Sequence, residues 1–156
     1  MPLDDHSARV AHLRAGGTSV VLHLDDVHLP SVLHWGPDLG EQGPNALAAL
    51  LVALDKPYVD SAVMTQQAVS VLPQHSSGWI GRPGLLGSRA GRAWSTTFTT
   101  VEHRVDANRV VSIGVDPHAE LEVTTEVELV DSGLLRIRAI VRKDDEPAMP
   151  APCPCG

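Results

Sequence analysis

Two pairs of adjacent carboxylates, Asp25-Asp26 and Asp144-Asp145, are the first residues in this chain with the right type for acid–base chemistry. Two carboxylates working on one bond must face it from either side. Neighbours on an extended chain point to opposite faces, so neither pair can flank a single bond. Both pairs sit at turns or tails and read as solvated turn residues. His23, His28 and His34 are scattered around two expected strands. A metal needs three or four converging ligands, and nothing in this spacing enforces convergence. There is no G-x-S-x-G string, and Ser76-Ser77 after His75 is a loop tripeptide rather than a nucleophile motif. The glycines around Trp79 lack the spacing of a dinucleotide fingerprint, and no amphipathic helix follows them. Cys153 and Cys155 are the chain's two cysteines and lie one residue apart. That spacing staples nothing, and no further cysteine is present to complete a metal site. The residue types therefore point to no cofactor and no metal.

The segment 73–95, PQHSSGWIGRPGLLGSRAGRAWS, offers a different chemistry. It holds two of the chain's three tryptophans, with three arginines and a histidine. Little of it alternates, so it reads as a long loop, and long loops inside compact domains usually carry function or are disordered. Disordered loops are poor in Trp, which favours function. A sugar presents an apolar face of C–H groups that stacks on an aromatic ring, and a set of hydroxyls that needs polar or charged partners. Trp79 and Trp94 suit the first need, and Arg82, Arg89 and His75 the second. Gly78, Gly81 and Gly84 recur at intervals of three and let the backbone turn sharply between them. The alternative is structural: the rings wedge the loop onto a sheet and the arginines pair with carboxylates.

The elements that must position this loop are strands. Ala8 to Leu13, Thr18 to Leu24 and Leu29 to Trp35 are short β-rich runs separated by Gly16-Gly17 and by the Asp25-Asp26 turn. Three such runs with tight turns predict an antiparallel meander, since parallel neighbours need long crossovers. Asn45 to Leu54 breaks the pattern. Asn45 is a candidate N-cap, and Leu47, Leu50, Leu51 and Leu54 share one face at helical spacing, so a short helix laid on the sheet is expected. After the loop, Thr96 to Val105, Arg109 to Val115, Ala119 to Val130 and Leu134 to Val141 alternate over long runs. They predict a broad antiparallel sheet with one wet face. Leu135, Ile137 and Ala139 fall on one side of the last strand, with Arg136 and Arg138 on the other. As an edge strand with an apolar face, it predicts aggregation or pairing with another copy. The core must be Val, Leu and Ala, because the 156 residues include three Trp, one Tyr and one Phe.

The net charge of −7 argues against a nucleic-acid partner, which needs clustered positive charge. No run approaches the ~20 apolar residues of a membrane span, and the acidic start MPLDDHSARV does not read as a signal peptide. The sequence thus predicts a cytoplasmic, all-β, antiparallel sandwich with one short helix over 1–143. A tail at 144–156, with no period and no core-forming residues, is expected to be disordered.

Two strings give this reading a family. Leu33-His34-Trp35-Gly36-Pro37-Asp38-Leu39-Gly40 is one. The other is Gly78-Trp79-Ile80-Gly81-Arg82-Pro83-Gly84-Leu85, continuing to Gly87, Arg89, Gly91 and Trp94. With Ser132-Gly133-Leu134-Leu135-Arg136 they resemble the N-terminal β-supersandwich domain of family 36 α-galactosidases, with the actinobacterial branch the nearest in look. The resemblance runs from about Arg9 to Arg142. It implies a partial supersandwich, a non-catalytic portion of an enzyme that removes terminal α-galactosyl units from oligosaccharides such as melibiose and raffinose. In that family the two catalytic aspartates lie on a (β/α)₈ barrel, and full-length relatives are expected to be homo-oligomers. No repeated strand–helix alternation occurs here, so the resemblance implies an N-terminal fragment or truncated reading frame, meeting α-galactoside sugars through a barrel outside this chain. The alternative class is a stand-alone carbohydrate-binding or interaction module without catalysis.

Overall fold

A computed structural model describes residues 10–54, 69–88 and 91–143. The strands are β1 (Val10–Ala15), β2 (Thr18–His23), β3 (Ser31–Pro37), β4 (Val69–Ser70), β5 (Thr99–Val105), β6 (Arg109–Asp116), β7 (Leu121–Leu129) and β8 (Leu135–Lys143), with one helix, α1 (Pro44–Leu54). They form two four-stranded antiparallel sheets, ordered β1-β2-β3-β4 and β5-β6-β7-β8. β1 lies across β7, so the two sheets pack face to face as a sandwich. The sequence's reading of an all-β antiparallel sandwich with one short helix therefore holds, and the long irregular loop joins β4 of one sheet to β5 of the other.

The core is aliphatic, as the composition demands. Ala11, Leu13, Val20 and Leu22 of the first sheet meet Val110, Val127 and Leu129 of the second. Leu13, Leu22 and Leu129 are almost wholly buried, each contributing about 1.5–3 kcal/mol of transfer free energy. A second cluster, Leu29, Leu72, Phe98 and Val123, sits under the loop.

Two seams join the sheets at opposite ends of β2. At one end the Gly16-Gly17 turn closes the β1–β2 hairpin, with both residues at positive φ. A Cβ on Gly16 would stand 2.4 Å from the backbone nitrogen of Gly133, so this turn abuts the Ser132-Gly133 turn between β7 and β8. At the other end, residues 25–28 are bonded to β5. The Thr100 hydroxyl donates to the His28 carbonyl at 2.7 Å, and the His103 ring donates from Nε2 to the Asp25 carbonyl at 3.0 Å.

Several boundaries differ from the sequence reading. β1 runs two residues further than Leu13, because the glycine turn allows pairing up to Ala15 opposite Thr18. β5 begins at Thr99 rather than Thr96, because the backbone N–H of Thr97 is taken by the Asp116 carboxylate instead of a ladder. Asn45 is not the cap of α1: Pro44 opens the helix, where its missing N–H costs nothing, and the Gly43 carbonyl accepts from Leu47. The helix lies against β1, yet none of its residues is buried; Leu47, Leu50 and Leu51 are half-buried and Leu54 is exposed. No helix among the described residues is long and apolar enough to cross a membrane. The expected tail at 144–156, with Asp144, Asp145, Cys153 and Cys155, lies outside the described residues, as does Arg89.

Candidate functional site: the Trp79 loop and the Asp38 turn

The loop after β4 is tied down at its base before it reaches its tryptophan. The Gly84 N–H donates to the Pro73 carbonyl at 2.8 Å, closing the segment 73–84 on itself. Gln74 is buried, and its side-chain oxygen accepts from the Phe98 N–H at 2.8 Å. Ser76 donates to the Thr96 carbonyl at 2.9 Å, joining the loop's two ends. A single 3₁₀ turn, His75–Ser77, ends at Gly78, whose φ of 83° reverses the chain into Trp79.

Trp79 is held by its own loop. Its indole N–H donates to the Arg82 carbonyl at 3.0 Å, and its carbonyl accepts from His75 Nδ1 at 2.9 Å. The ring rests against Gly81, where an added Cβ would lie 2.8 Å from Nε1. Trp79 as a whole is still 36% exposed. It is neither sunk between the sheets nor swung into solvent. With its N–H already used, what it offers a ligand is apolar ring surface. His75 and Arg82 are exposed beside it, so the loop brings three of the five expected residues together. Trp94 is 71% exposed on the return limb, two residues before the Ser76 anchor at Thr96. No hydrogen bond joins Trp94 to Trp79, His75 or Arg82 among the described residues.

A second polar constellation was missed from sequence. It centres on Asp38, in the string after β3. Arg14 grips this carboxylate with a two-pronged fork, Nε and Nη2 each at 2.7 Å. The Ser19 hydroxyl donates to the same carboxylate at 2.7 Å, and Ser19 accepts from the Leu39 N–H at 3.0 Å. His12 Nε2 lies 3.0 Å from the Ser19 oxygen. Serine, histidine and aspartate in contact suggest a nucleophile triad, but the proton count forbids one. Serine has one hydrogen, and Asp38 takes it, so His12 must donate to Ser19 and cannot act as its base. The Ser19 side chain is also fully buried. The cluster is an anchor that fixes residues 38–40 to β1 and β2. The Arg14 fork, followed by the Ser19 bond, holds the Asp38 carboxyl far below the usual carboxylate range. Burial, then the charge of Arg14, lowers His12 from its ordinary 6.5.

Two further aspartates, Asp25 and Asp116, are similarly committed. Burial pushes Asp25 up, but bonds from the His28 backbone and ring and the Val27 N–H outweigh it, leaving the group low. Asp25 thus caps its own turn rather than standing in solvent, and His28 is its partner. Asp116 is buried and accepts from the backbone N–H groups of Thr97, His118 and Ala119. A general acid needs a raised pKa, and Asp25 and Asp38 are shifted the opposite way. His34 contacts the Pro37 carbonyl at 3.3 Å, and no three His, Cys, Asp or Glu side chains among the described residues are grouped to hold a metal.

The described residues thus form a two-sheet antiparallel sandwich that carries a tryptophan-bearing loop, with Asp25, Asp38 and Asp116 engaged in turns. Residues 28–149 match the glycosyl hydrolase family 36 N-terminal domain, and the chain belongs to that family. The match takes in both the Asp38 string and the Trp79 loop. Among curated proteins the chain is similar to an alpha-galactosidase of Escherichia coli, 25% identical over 107 residues. That stretch is 69% of this chain and 14% of the relative, so the chain spans a small part of the protein it resembles. No solved structure matches it.

Proposed function

We propose that this chain is the N-terminal, non-catalytic portion of an α-galactosidase of the actinobacterial type. It works in the cytoplasm with a barrel that lies outside this chain and removes terminal α-galactosyl units from sugars such as melibiose and raffinose. The observation that carries the reading is the family match across residues 28–149. The similarity to the Escherichia coli alpha-galactosidase supports the choice of sugar class. The engagement of Asp25, Asp38 and Asp116 in turns supports a non-catalytic role for these three, because a retaining glycosidase needs two free carboxyl groups about 5 Å apart.

Within this reading the Trp79 loop forms one wall of a sugar subsite that a barrel domain completes. Trp79 supplies the stacking surface, with Arg82, His75, Arg89 and Trp94 as polar and aromatic partners. A ring held by Gly81 and by its own N–H bond loses little freedom on meeting a ligand, which favours binding. Full-length assemblies of this kind are homo-oligomers in our reading, with no nucleic-acid partner, in keeping with the acidic net charge.

The test is enzymatic and genetic together. The purified chain should leave an aryl α-galactoside intact. The reading frame downstream of its gene should encode a barrel, and the joined or co-expressed product should turn the substrate over. Turnover by the chain alone, lost on mutating one of its own residues, would overturn the proposal. Saturable sugar binding by the chain with no barrel encoded nearby would favour the stand-alone module, a reading supported by the exposure of Trp35 and Trp94.

A further inference from the structure

The last strand, β8, forms the outer edge of its sheet, and only its β7 side is paired among the described residues. The register sets Leu135, Ile137, Ala139 and Val141 opposite Leu129, Val127, Thr125 and Val123, on the core-facing side. The β7 residues are covered by the first sheet or nearly so. On β8, Leu135 packs half-buried against the core, but Ile137 is 45% exposed and Val141 39%. At the Val141 end the uncovered strip runs into an apolar cavity of about 190 Å³, walled by Leu85, Leu86, Ala119 and Leu121. The opposite face of β8 carries Arg136, Arg138 and Arg142. Arg136 is paired with Glu128, and Glu126 is taken by Arg109. Arg138 and Arg142 make no ion pair among the described residues.

A second copy is a poor occupant for this edge. In the full antiparallel register, centred on Ala139, Arg136 of one copy faces Arg142 of the other. A shift of two residues sets Arg138 against itself or against Arg142. Like charges directly opposite one another destabilise a strand pair. On its paired side β8 has the opposite arrangement: β7 places Glu122, Glu126 and Glu128 across from Arg142, Arg138 and Arg136.

We propose that the edge of β8 left unpaired among the described residues docks an extended segment of a partner polypeptide in which apolar and acidic residues alternate. Its main chain continues the sheet. Its apolar side chains cover Ile137, Ala139 and Val141, and one of them fills the cavity beside Leu86. Its carboxylates face Arg138 and Arg142. Main-chain bonding gives such strand addition its affinity, and the alternating side chains give it selectivity. This inference does not rest on the sugar reading.

The probe is a labelled synthetic peptide with the sequence of residues 120–130, ELEVTTEVELV, which copies the strand β8 already accepts. Anisotropy titration against the full chain in low salt should show saturable binding that weakens as salt rises. A peptide with lysine at the positions of Glu122, Glu126 and Glu128 should not bind. The doubly substituted chain, Arg138→Glu with Arg142→Glu, should bind the acidic peptide about tenfold more weakly or worse. Both positions are exposed, and circular dichroism of the variant checks that it is folded. Equal binding of the acidic and lysine peptides would overturn the proposal, as would no binding of the acidic one. So would sedimentation showing the wild type dimeric through this edge and the variant monomeric.

Discussion

Trp79 shows how a residue's type can be legible while its setting is not. Its presence in a glycine-rich loop marked it as a ligand-facing ring, and it is partly exposed. The bond from its N–H to the Arg82 carbonyl and its rest against Gly81 depend on a loop path that spacing alone does not fix. Trp79→Ala should cost about 1–3 kcal/mol in denaturant unfolding, less than a fully buried ring. In a full-length enzyme it should lower kcat/KM per folded molecule; unchanged kinetics would remove the subsite. The Asp38 anchor was not legible at all. Its partners, Arg14, Ser19 and His12, come together only through the register of β1, β2 and β3, which includes a bulge between Val21 and Leu22. The signs of its pH effects follow from the directions of the shifts. His12 binds its proton less readily folded than unfolded, so its contribution is complete above 6.5 and declines as pH falls through the lowered folded value. Asp38 contributes fully above 3.8, and its contribution is lost as pH falls through its own depressed value. A His12→Gln chain should therefore show a flatter urea midpoint between neutral pH and the onset of carboxylate titration. Parallel wild-type and variant curves would refute the assignment.

Elements were easier to read than residues. The alternation of Val123, Val127 and Leu129 with glutamates located β7 to within two residues at either end, because a half-buried strand must alternate. The two-residue β4 carries too little pattern to be seen, since its pairing consists only of Ser70 opposite Ser31 and Val69 opposite Val32. The apolar side of β8 was found correctly, but the exposure of Ile137 and Val141 on it depends on what packs against that side, which no local pattern encodes. Turn glycines look alike in sequence and differ in the fold. Gly16 and Gly17 both have positive φ, yet only Gly16 meets a neighbour. Gly16→Ala should lower stability by at least about 2 kcal/mol, through the left-handed backbone and the clash with Gly133. Gly17→Ala should cost only about 1 kcal/mol, for the backbone alone. Thermal midpoints of the two variants measure the difference, and equal losses would mean that the seam contributes nothing.

At the scale of the whole molecule, the two sheets are built from consecutive strands, β1 to β4 and then β5 to β8, and among the described residues no strand crosses from one to the other. Each half can form by pairing neighbours along the chain, without waiting for distant segments to meet. The seam between the Gly16 and Gly133 turns is different, because it exists only once the finished halves have come together. If docking follows the rate-limiting barrier, a lesion there should leave the refolding rate nearly untouched and speed unfolding. Stopped-flow refolding of Gly16→Ala would then give a chevron whose unfolding arm rises while its folding arm overlays the wild type. A slowed folding arm would place the meeting of the two turns before the barrier. In that case the sandwich closes by mutual templating of its halves rather than by late assembly of two preformed sheets.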